Sequence, residues 1–99
     1  MDKAREAAVK IINEVHEKGA YANVALVQGL RRQELSEVDR RFVTELVYGT
    51  VKAGETLDWI LRRYVNRPIK KIPPMIADIE RMGLYQLFFM DKIPASAAC

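Results

Sequence analysis

The chain has 99 residues, of which 49% are hydrophobic and 29% charged, a composition that indicates one small globular domain and excludes a disordered chain. No apolar run approaches the roughly 20 residues that span a bilayer, and the N-terminus lacks the apolar core of a secretory signal. The single cysteine, Cys99, excludes an internal disulfide and is typical of a protein in the reducing cytosol. The formal net charge of +3 is mildly basic, which by itself indicates nucleic-acid binding only weakly.

Hydrophobic residues recur with a period near 3.6 along the chain, and the alternation typical of strands is absent. The sequence therefore predicts an all-α fold, a helical bundle. The predicted helices span residues 2–18, 22–34, 36–54, 56–65 and 74–90.

The first predicted helix begins at Asp2, a good N-cap residue, and ends at Gly19. Its inward face consists of Ala4, Ala8, Ile11, Ile12 and Val15. His16 lies on the flank of this face, and we interpret it as a half-buried surface histidine. In the second predicted helix the inward residues are Val24, Leu26, Val27 and Leu30.

The third predicted helix opens with Ser36 and Asp39, which form a weak capping box with Asp in place of the usual Glu. It carries a wide apolar arc of Val38, Phe42, Val43, Leu46, Val47 and Val51. The buried residues of the fourth predicted helix are Leu57, Ile60, Leu61 and Tyr64. The segment Asn66-Arg67-Pro68 ends that helix, because a residue before proline avoids the α conformation.

The fifth predicted helix starts at Pro73 or Pro74, where a first helical turn tolerates proline. Its main apolar stripe is Met75, Ile76, Ile79, Met82, Gly83, Leu87 and Met90, with Leu84 and Phe88 on a second apolar side. A glycine in a helix interior costs up to about 1 kcal/mol, so Gly83 predicts the close approach of another helix. A helix that is apolar on several sides is expected at the centre of a larger bundle.

The residues after Met90 predict a helix that is cut short. Pro94 breaks the fifth helix, and Ala95 to Ala98 begin one further turn, which cannot hold itself as a helix because nucleation is costly. We therefore expect residues 1–99 to form one domain truncated within its sixth helix. The uncovered apolar surface of the fifth helix then predicts self-association.

Groups that could carry catalysis are scarce, so the sequence predicts no catalytic site and no metal site. His16 and Glu17 look like the start of a zinc-protease helix, but Ala20 stands where the second histidine ligand is needed. The glycines are scattered singly, which excludes a glycine-rich phosphate loop. One histidine and one cysteine cannot form a four-ligand zinc site.

The third predicted helix carries a candidate RNA-binding face. Arg41, Tyr48 and Lys52 are spaced i, i+7 and i+11 and share one polar stripe. Cations neutralise phosphates and a tyrosine ring offers a stacking plane, so this order suits an RNA surface. The ordinary alternative is a solvated charged face, with Tyr48 packed on a neighbouring helix.

The first predicted helix adds three basic residues to this candidate surface. Lys3 and Lys10 share a face, and Arg5 lies near the start of the helix. The positive end of the helix dipole is also able to receive a phosphate there. The alternative is again a solvated face of a generic helical scaffold.

Three stretches, taken in order, resemble one family: AREAAVKIINEV, DRRFVTELVYGTVKAGETLDWIL and IERMGLYQLFFMDKIPASAA. They are similar to the NusB-like fold, and most closely to the N-terminal domain of the bacterial rRNA cytosine-C5 methyltransferases of the RsmB or Sun type. The resemblance covers most of the chain. The second and third stretches are its specific part, and they indicate the methyltransferase branch rather than free-standing NusB.

The resemblance implies an all-α fold of two packed three-helix units. It implies a following Rossmann-like domain that uses S-adenosylmethionine and cysteine nucleophiles to methylate C5 of a cytosine in small-subunit rRNA. Cys99 matches neither of those cysteines, so no activity and no cofactor are expected in this chain. The RNA surface of NusB lies near its first helix, which implies RNA contacts for Lys3 and Arg5.

The leading hypothesis is a non-catalytic accessory domain that docks rRNA for the catalytic domain of a cytoplasmic methyltransferase. The second hypothesis is a protein-interaction module that packs on the catalytic domain or on a ribosomal protein through Leu84 and Phe88. A third, a transcription antitermination factor of the NusB type, fits the methyltransferase-type stretches less well. RNA binding should weaken steeply with salt, whereas apolar docking should not.

Overall fold

The computed structural model describes residues 1–64 and 68–90, which form five α-helices and no strand, so the predicted all-α fold is confirmed. The helices are α1 (Lys3–Lys18), α2 (Ala22–Arg32), α3 (Glu37–Lys52), α4 (Gly54–Tyr64) and α5 (Pro74–Tyr85). A single 3-10 turn, Ile69–Lys71, precedes α5, and a π-helical segment, Gln86–Met90, follows it. The predicted end of the fourth helix at Asn66 and Arg67, the break at Pro94 and the sixth helix lie outside the described residues.

Local capping explains where α1 and α3 begin, as the sequence predicted. The Asp2 carboxylate accepts the backbone N–H of Arg5 at 2.8 Å, and the Ser36 hydroxyl accepts the backbone N–H of Asp39 at 3.1 Å. Gly19 ends α1 with a positive φ of 66°, which glycine adopts without steric cost. These contacts satisfy backbone groups that a helix terminus leaves unpaired.

The hydrophobic core is built around α1, which packs against α2, α3 and α5. Its inward face is lined with small residues, which lets the neighbouring helices approach closely. The fully buried larger side chains come from α1 (Ile11, Ile12), α3 (Val43, Leu46, Val47), α4 (Leu57) and α5 (Met82). Burying side chains of this size stabilises the fold by about 1.5–3 kcal/mol each before entropy is counted.

The face by which α2 packs differs from the predicted one. Val24 and Val27 are exposed, whereas Ala25, Leu26 and Gly29 are buried. Gly29 lies so close to the Ile11 side chain that a Cβ added there would overlap it. The prediction of Val24 and Val27 as inward residues was wrong, because close approach to α1 selected the small residues of α2 over its large ones.

Two further residues that were predicted as buried are exposed. Val38 lies in the first turn of α3 and Tyr64 is the last residue of α4. A residue in a terminal turn can fit the apolar periodicity of its helix and still be exposed, because fewer neighbouring residues surround the end of a helix. The remaining apolar residues of α3 are buried or half-buried as predicted.

The fifth helix was expected at the centre of the bundle, but the core is built around α1, and α5 turns a different side inward than predicted. It packs against α1, α3 and α4, and its buried residues are Ala77, Asp78 and Met82. Exposed members of the predicted stripe are Met75, Ile76, Gly83 and Leu87. Periodicity was also misleading past Tyr85, because the π-helical segment adds residues to the turn and shifts the register of every later side chain.

The predicted close approach at Gly83 was wrong. Gly83 is exposed, and a Cβ added there would meet nothing within 4 Å. The close approach to α5 is instead made by Gly49 of α3, where an added Cβ would overlap the ring of Tyr85. On its buried side α5 instead carries Asp78, which faces the polar residues Asn13 and His16 of α1.

Candidate functional site

The outer face of α3 presents the predicted stripe of Arg41, Tyr48 and Lys52, all of which are exposed. With a rise of 1.5 Å per residue, the stripe is about 16 Å long from Arg41 to Lys52. Arg41 and Tyr48 line a shallow depression of about 500 Å³ beside the end of α2. The structure therefore places the cation and the aromatic ring on one accessible surface.

Carboxylates share this depression. Glu37 accepts a hydrogen bond from the Arg41 guanidinium at 3.1 Å, and Glu45 also lines the surface. Both partners of the Glu37–Arg41 ion pair are highly exposed, so the pair contributes little to stability and can exchange partners readily. An anionic ligand would compete with Glu37 for Arg41.

The start of α1 adjoins the first turns of α3. Lys3 and Arg5 line a second depression of about 210 Å³ together with Asp39 and Phe42. The Arg5 guanidinium lies 5.0 Å from the centre of the Phe42 ring, and its Nε donates to Gln86 Oε1 at 2.7 Å. Arg5 is thus held between α1, α3 and the π-helical segment, whereas Lys3 projects into solvent.

The N-terminus of α1 is already capped by an anionic group. Asp2 accepts the backbone N–H of Arg5 and forms an ion pair with its side chain. The Arg5 backbone N–H, followed by the Arg5 side chain, holds the pKa of Asp2 below its ordinary value. The predicted phosphate position at this helix end is therefore occupied by the protein's own carboxylate.

Lys10 lies two turns further along α1 and is separate from the α3 stripe. Its Nζ is 3.2 Å from Glu6 Oε1, one turn earlier on the same helix. Lys10 borders the groove between α1 and α2, where Arg32 donates to Glu14 Oε1 at 2.7 Å. The structure thus brings Lys3 and Arg5 close to α3 and leaves Lys10 on the α1–α2 side.

A buried polar network is the feature that the sequence reasoning missed. Asp78 of α5 has no exposed surface. Its Oδ1 lies 2.6 Å from His16 Nδ1 and accepts from an Arg81 nitrogen at 2.8 Å. Its Oδ2 accepts from the amide of Asn13 at 3.1 Å. Arg81 also donates through Nε to Asp58 Oδ1 at 2.6 Å, so the network joins α1, α4 and α5.

The network explains the charge states of its buried members. Burial by itself raises the pKa of Asp78, but hydrogen bonds from His16, Asn13 and Arg81 outweigh burial and keep that pKa below its ordinary value. Burial likewise opposes the charge on Arg81, yet Asp58 and Asp78 raise the pKa of its guanidinium. His16 lies at the surface, as predicted, with 28% of its side chain exposed, but its partner Asp78 was not foreseen.

The His16–Asp78 pair resembles the orienting half of a catalytic triad, and its surroundings favour a structural role instead. Ser36, the serine within the described residues, is engaged as the N-cap of α3. Asp78 is already neutralised by Arg81, and its oxygens are saturated by three side chains. A signal was present in the sequence: Asn13 and His16, like Asp78 and Arg81, are spaced i, i+3, which places each pair on one helix flank.

In residues 1–64 and 68–90, no group of three His, Cys, Asp or Glu residues is placed to hold a metal ion. None of the helices in that part of the chain is long and apolar enough to cross a membrane.

Together these features define a small all-helical domain with a capped, closely packed core and a charged outer surface on α1 and α3. The chain belongs to the NusB family, whose profile matches residues 2–99. The resemblance drawn from the three sequence stretches is thereby confirmed.

Among the relatives that match are proteins named as methyltransferases, and these are much longer than this chain. The "Probable ribosomal RNA small subunit methyltransferase B" of Synechocystis is 44% identical over 98 residues, which are 99% of this chain and 22% of the relative. The protein of that name from Bacillus subtilis is 35% identical over 94 residues, 95% of this chain and 21% of the relative. The "Ribosomal RNA small subunit methyltransferase B" of Proteus mirabilis is 28% identical over 94 residues, 95% of this chain and 22% of the relative. The chain thus spans about a fifth of the length of these curated relatives, and no solved structure matches it.

Proposed function

We propose that this chain is a non-catalytic RNA-binding domain of a small-subunit rRNA cytosine-C5 methyltransferase that works in the cytoplasm. The observation that carries the proposal is the similarity, along nearly the whole chain, to relatives named as rRNA small subunit methyltransferases. The chain accounts for about a fifth of their length, which leaves room for a separate catalytic domain with S-adenosylmethionine as its methyl donor. The names of these relatives also favour a methyltransferase over a transcription antitermination factor.

The proposed RNA surface runs from the start of α1 along the outer face of α3. Lys3 and Lys52 are exposed cations without a carboxylate partner among the described residues, and Arg41 is held only by an exposed ion pair. They would neutralise phosphates, while Tyr48 offers a ring for stacking. Arg5 would act mainly by positioning, since Asp2, Gln86 and Phe42 occupy its guanidinium. Lys10 would extend the surface toward α2.

A gel-shift or anisotropy titration of this chain against small-subunit rRNA hairpins, over a series of salt concentrations, tests the proposal. Changing Lys3, Arg41 and Lys52 together to Ala should weaken binding and lower the slope of log affinity against log salt by about 2–3, because each phosphate contact contributes about 0.7–0.9 to that slope.

The matched control changes three other exposed lysines, Lys18, Lys70 and Lys71, to Ala. This control removes the same formal charge from a different part of the surface. It should therefore leave most of the slope of log affinity against log salt intact if RNA binds along α1 and α3. Equal losses for the two triple variants would mean that only net charge matters, and an unchanged slope in the first variant would contradict the assigned surface.

A second candidate function, docking of a protein partner, is favoured by a specific observation. An apolar groove of about 340 Å³ lies between α4 and the end of α5, lined by Ile60, Leu61, Tyr64, Leu84, Leu87 and Phe88. The methyltransferase's own catalytic domain, a ribosomal protein or a second copy of this chain would bury these side chains. Such docking should be insensitive to salt, in contrast to binding through Arg41 and its neighbours.

A further inference from the structure

We propose that the outer face of α4 is a second RNA-contact surface, on which Trp59 stacks a single-stranded base and Arg62 and Arg63 hold the adjoining phosphates. This inference rests on the proposed RNA-binding function and extends it to a face distinct from the α1–α3 surface.

Trp59 stands at the centre of an exposed polar stripe rather than at the edge of the core. The residues that share its side of the helix are Glu55, Thr56, Arg62 and Arg63, and all of them are exposed. Trp59 is 54% exposed as a residue, while the Arg63 guanidinium lies 5.1 Å from the centre of its ring. Trp59 thus combines an exposed aromatic side chain with a cation held beside it, an arrangement against which a flat ligand could lie.

The two arginines of this stripe differ from most others in the described residues. Arg5, Arg32, Arg41 and Arg81 each form an ion pair, whereas neither Arg62 nor Arg63 takes part in one within residues 1–64 and 68–90. Their charges are thus available to an anionic ligand. Cation–π contact with Trp59 also fixes the Arg63 guanidinium close to the ring, which lowers the entropy that would be lost on binding.

The combination fits a nucleotide better than an acidic protein segment. A carboxylate would pair with Arg62 or Arg63 but would not stack on the exposed Trp59, whereas a nucleotide brings a flat base and a phosphate together. Glu55 lies one turn before Trp59 on the same side, so it repels phosphate at that end. The RNA backbone is therefore expected to leave the ring toward Arg62 and Arg63.

Trp59 is the only tryptophan in the chain, so its fluorescence reports this surface alone. We would titrate the full 99-residue chain with an unstructured uridine-rich oligoribonucleotide, exciting at the red edge of tryptophan absorption to exclude the tyrosines. In parallel, the anisotropy of the same oligonucleotide carrying a dye would measure total binding. The inference expects the tryptophan emission to be quenched along the same titration curve as the anisotropy.

Variants separate stacking from charge. Trp59→Ala should weaken binding by about 5-fold or more, and Trp59→Phe should recover most of it, because stacking of a base on an aromatic ring typically contributes a factor of this size. The matched control is Tyr21→Ala, which removes an aromatic ring that is 79% exposed at the start of α2. It should leave binding unchanged, and thermal unfolding would verify that all three variants remain folded.

The outcomes that overturn the inference are distinct from the failure of the proposed function. An anisotropy change that shows binding while the tryptophan emission stays constant would overturn the α4 surface, and so would full binding by Trp59→Ala. Both results would leave RNA binding through α1 and α3 standing. No anisotropy change at all would overturn both. Quenching by poly-glutamate as strong as by RNA would assign the surface to an acidic protein, and tighter binding of the matching oligodeoxynucleotide would overturn its assignment to RNA.

Discussion

At the scale of single residues, Thr50 is the buried side chain whose energetic role is easiest to isolate. It has no exposed surface, and its hydroxyl has no hydrogen-bond partner among the described residues. Burying a hydroxyl without a partner costs about 1–3 kcal/mol. We therefore expect Thr50→Val, which keeps the shape and replaces the hydroxyl with a methyl group, to raise the free energy of unfolding by about 1 kcal/mol in urea denaturation.

Thr44 provides the matched control on the same helix. Its hydroxyl donates to the backbone carbonyl of Arg40 at 2.7 Å, so Thr44→Val removes a hydrogen bond that is satisfied and near solvent. That variant should lose a few tenths of a kcal/mol to about 1 kcal/mol. A destabilised Thr50→Val would mean that the hydroxyl has a partner in solution, such as a water molecule.

The candidate site also illustrates what single residues in a sequence can and cannot reveal. The exposure of Arg41, Tyr48 and Lys52 followed from their common stripe on an amphipathic helix, and it was predicted correctly. The engagement of Arg5 by Phe42 and Gln86 could not be predicted, because the second partner lies 81 residues away in the chain and only tertiary packing brings it near.

At the scale of the helices, two glycines with similar sequence surroundings have opposite roles. Gly29 of α2 faces the buried Ile11 side chain, whose Cγ1 and Cδ1 an added Cβ would overlap, whereas Gly83 of α5 faces open space. Gly29→Ala should lower the free energy of unfolding, since overpacking costs about 1–3 kcal/mol and exceeds the gain in helix propensity. Gly83→Ala should instead raise it by about 1 kcal/mol, because only the propensity term remains.

Chemical denaturation of the two variants, in parallel with the unmodified chain, measures both changes. The sign of the difference between them is the test, since both substitutions add the same methyl group to a helix. A loss of stability in Gly83→Ala would restore the original expectation that another helix packs closely against this side of α5.

Helix positions were predictable here because capping and periodicity are local properties. Asp2 and Ser36 mark helix starts through contacts with residues three positions away, and Gly19 marks the end of α1 through its own backbone conformation. The buried faces of α2 and α5 were less predictable, because Gly29 and Asp78 are placed inward by Ile11 and His16 on another helix. A rule that ranks residues by hydrophobicity alone cannot select a glycine or an aspartate as the buried one.

At the scale of the whole molecule, the network centred on Asp78 is the main polar connection between the helices. It reaches α1 through Asn13 and His16 and α4 through Arg81 and Asp58. Replacing one member leaves a charge buried without its partner, which typically costs about 3–5 kcal/mol. A domain typically has about 5–15 kcal/mol of stability in total, so the loss of one network member removes a large part of it.

The direction of the acid dependence follows from the pKa of Asp78, which lies below its ordinary value of 3.8. The folded chain then binds fewer protons than the unfolded chain near that pH, so stability is fully present above 3.8 and is lost as the pH falls through the lowered value. We expect the free energy of unfolding from urea titrations to fall with decreasing pH below 3.8. Asp2, exposed at the surface, adds a slope of the same sign, because its pKa is also lowered.

Asp78→Asn should lower stability at neutral pH by about 3 kcal/mol, since Arg81 and His16 lose the carboxylate that they face. The same variant should flatten the acid slope, because an amide cannot take up the proton that destabilises the unmodified chain. Asp39→Asn removes a carboxylate outside the network and should keep the slope. If the stability of Asp78→Asn fell with decreasing pH as steeply as that of the unmodified chain, the acid sensitivity would come from other groups. The contact of α1, α4 and α5 would then depend more on apolar packing than on this network.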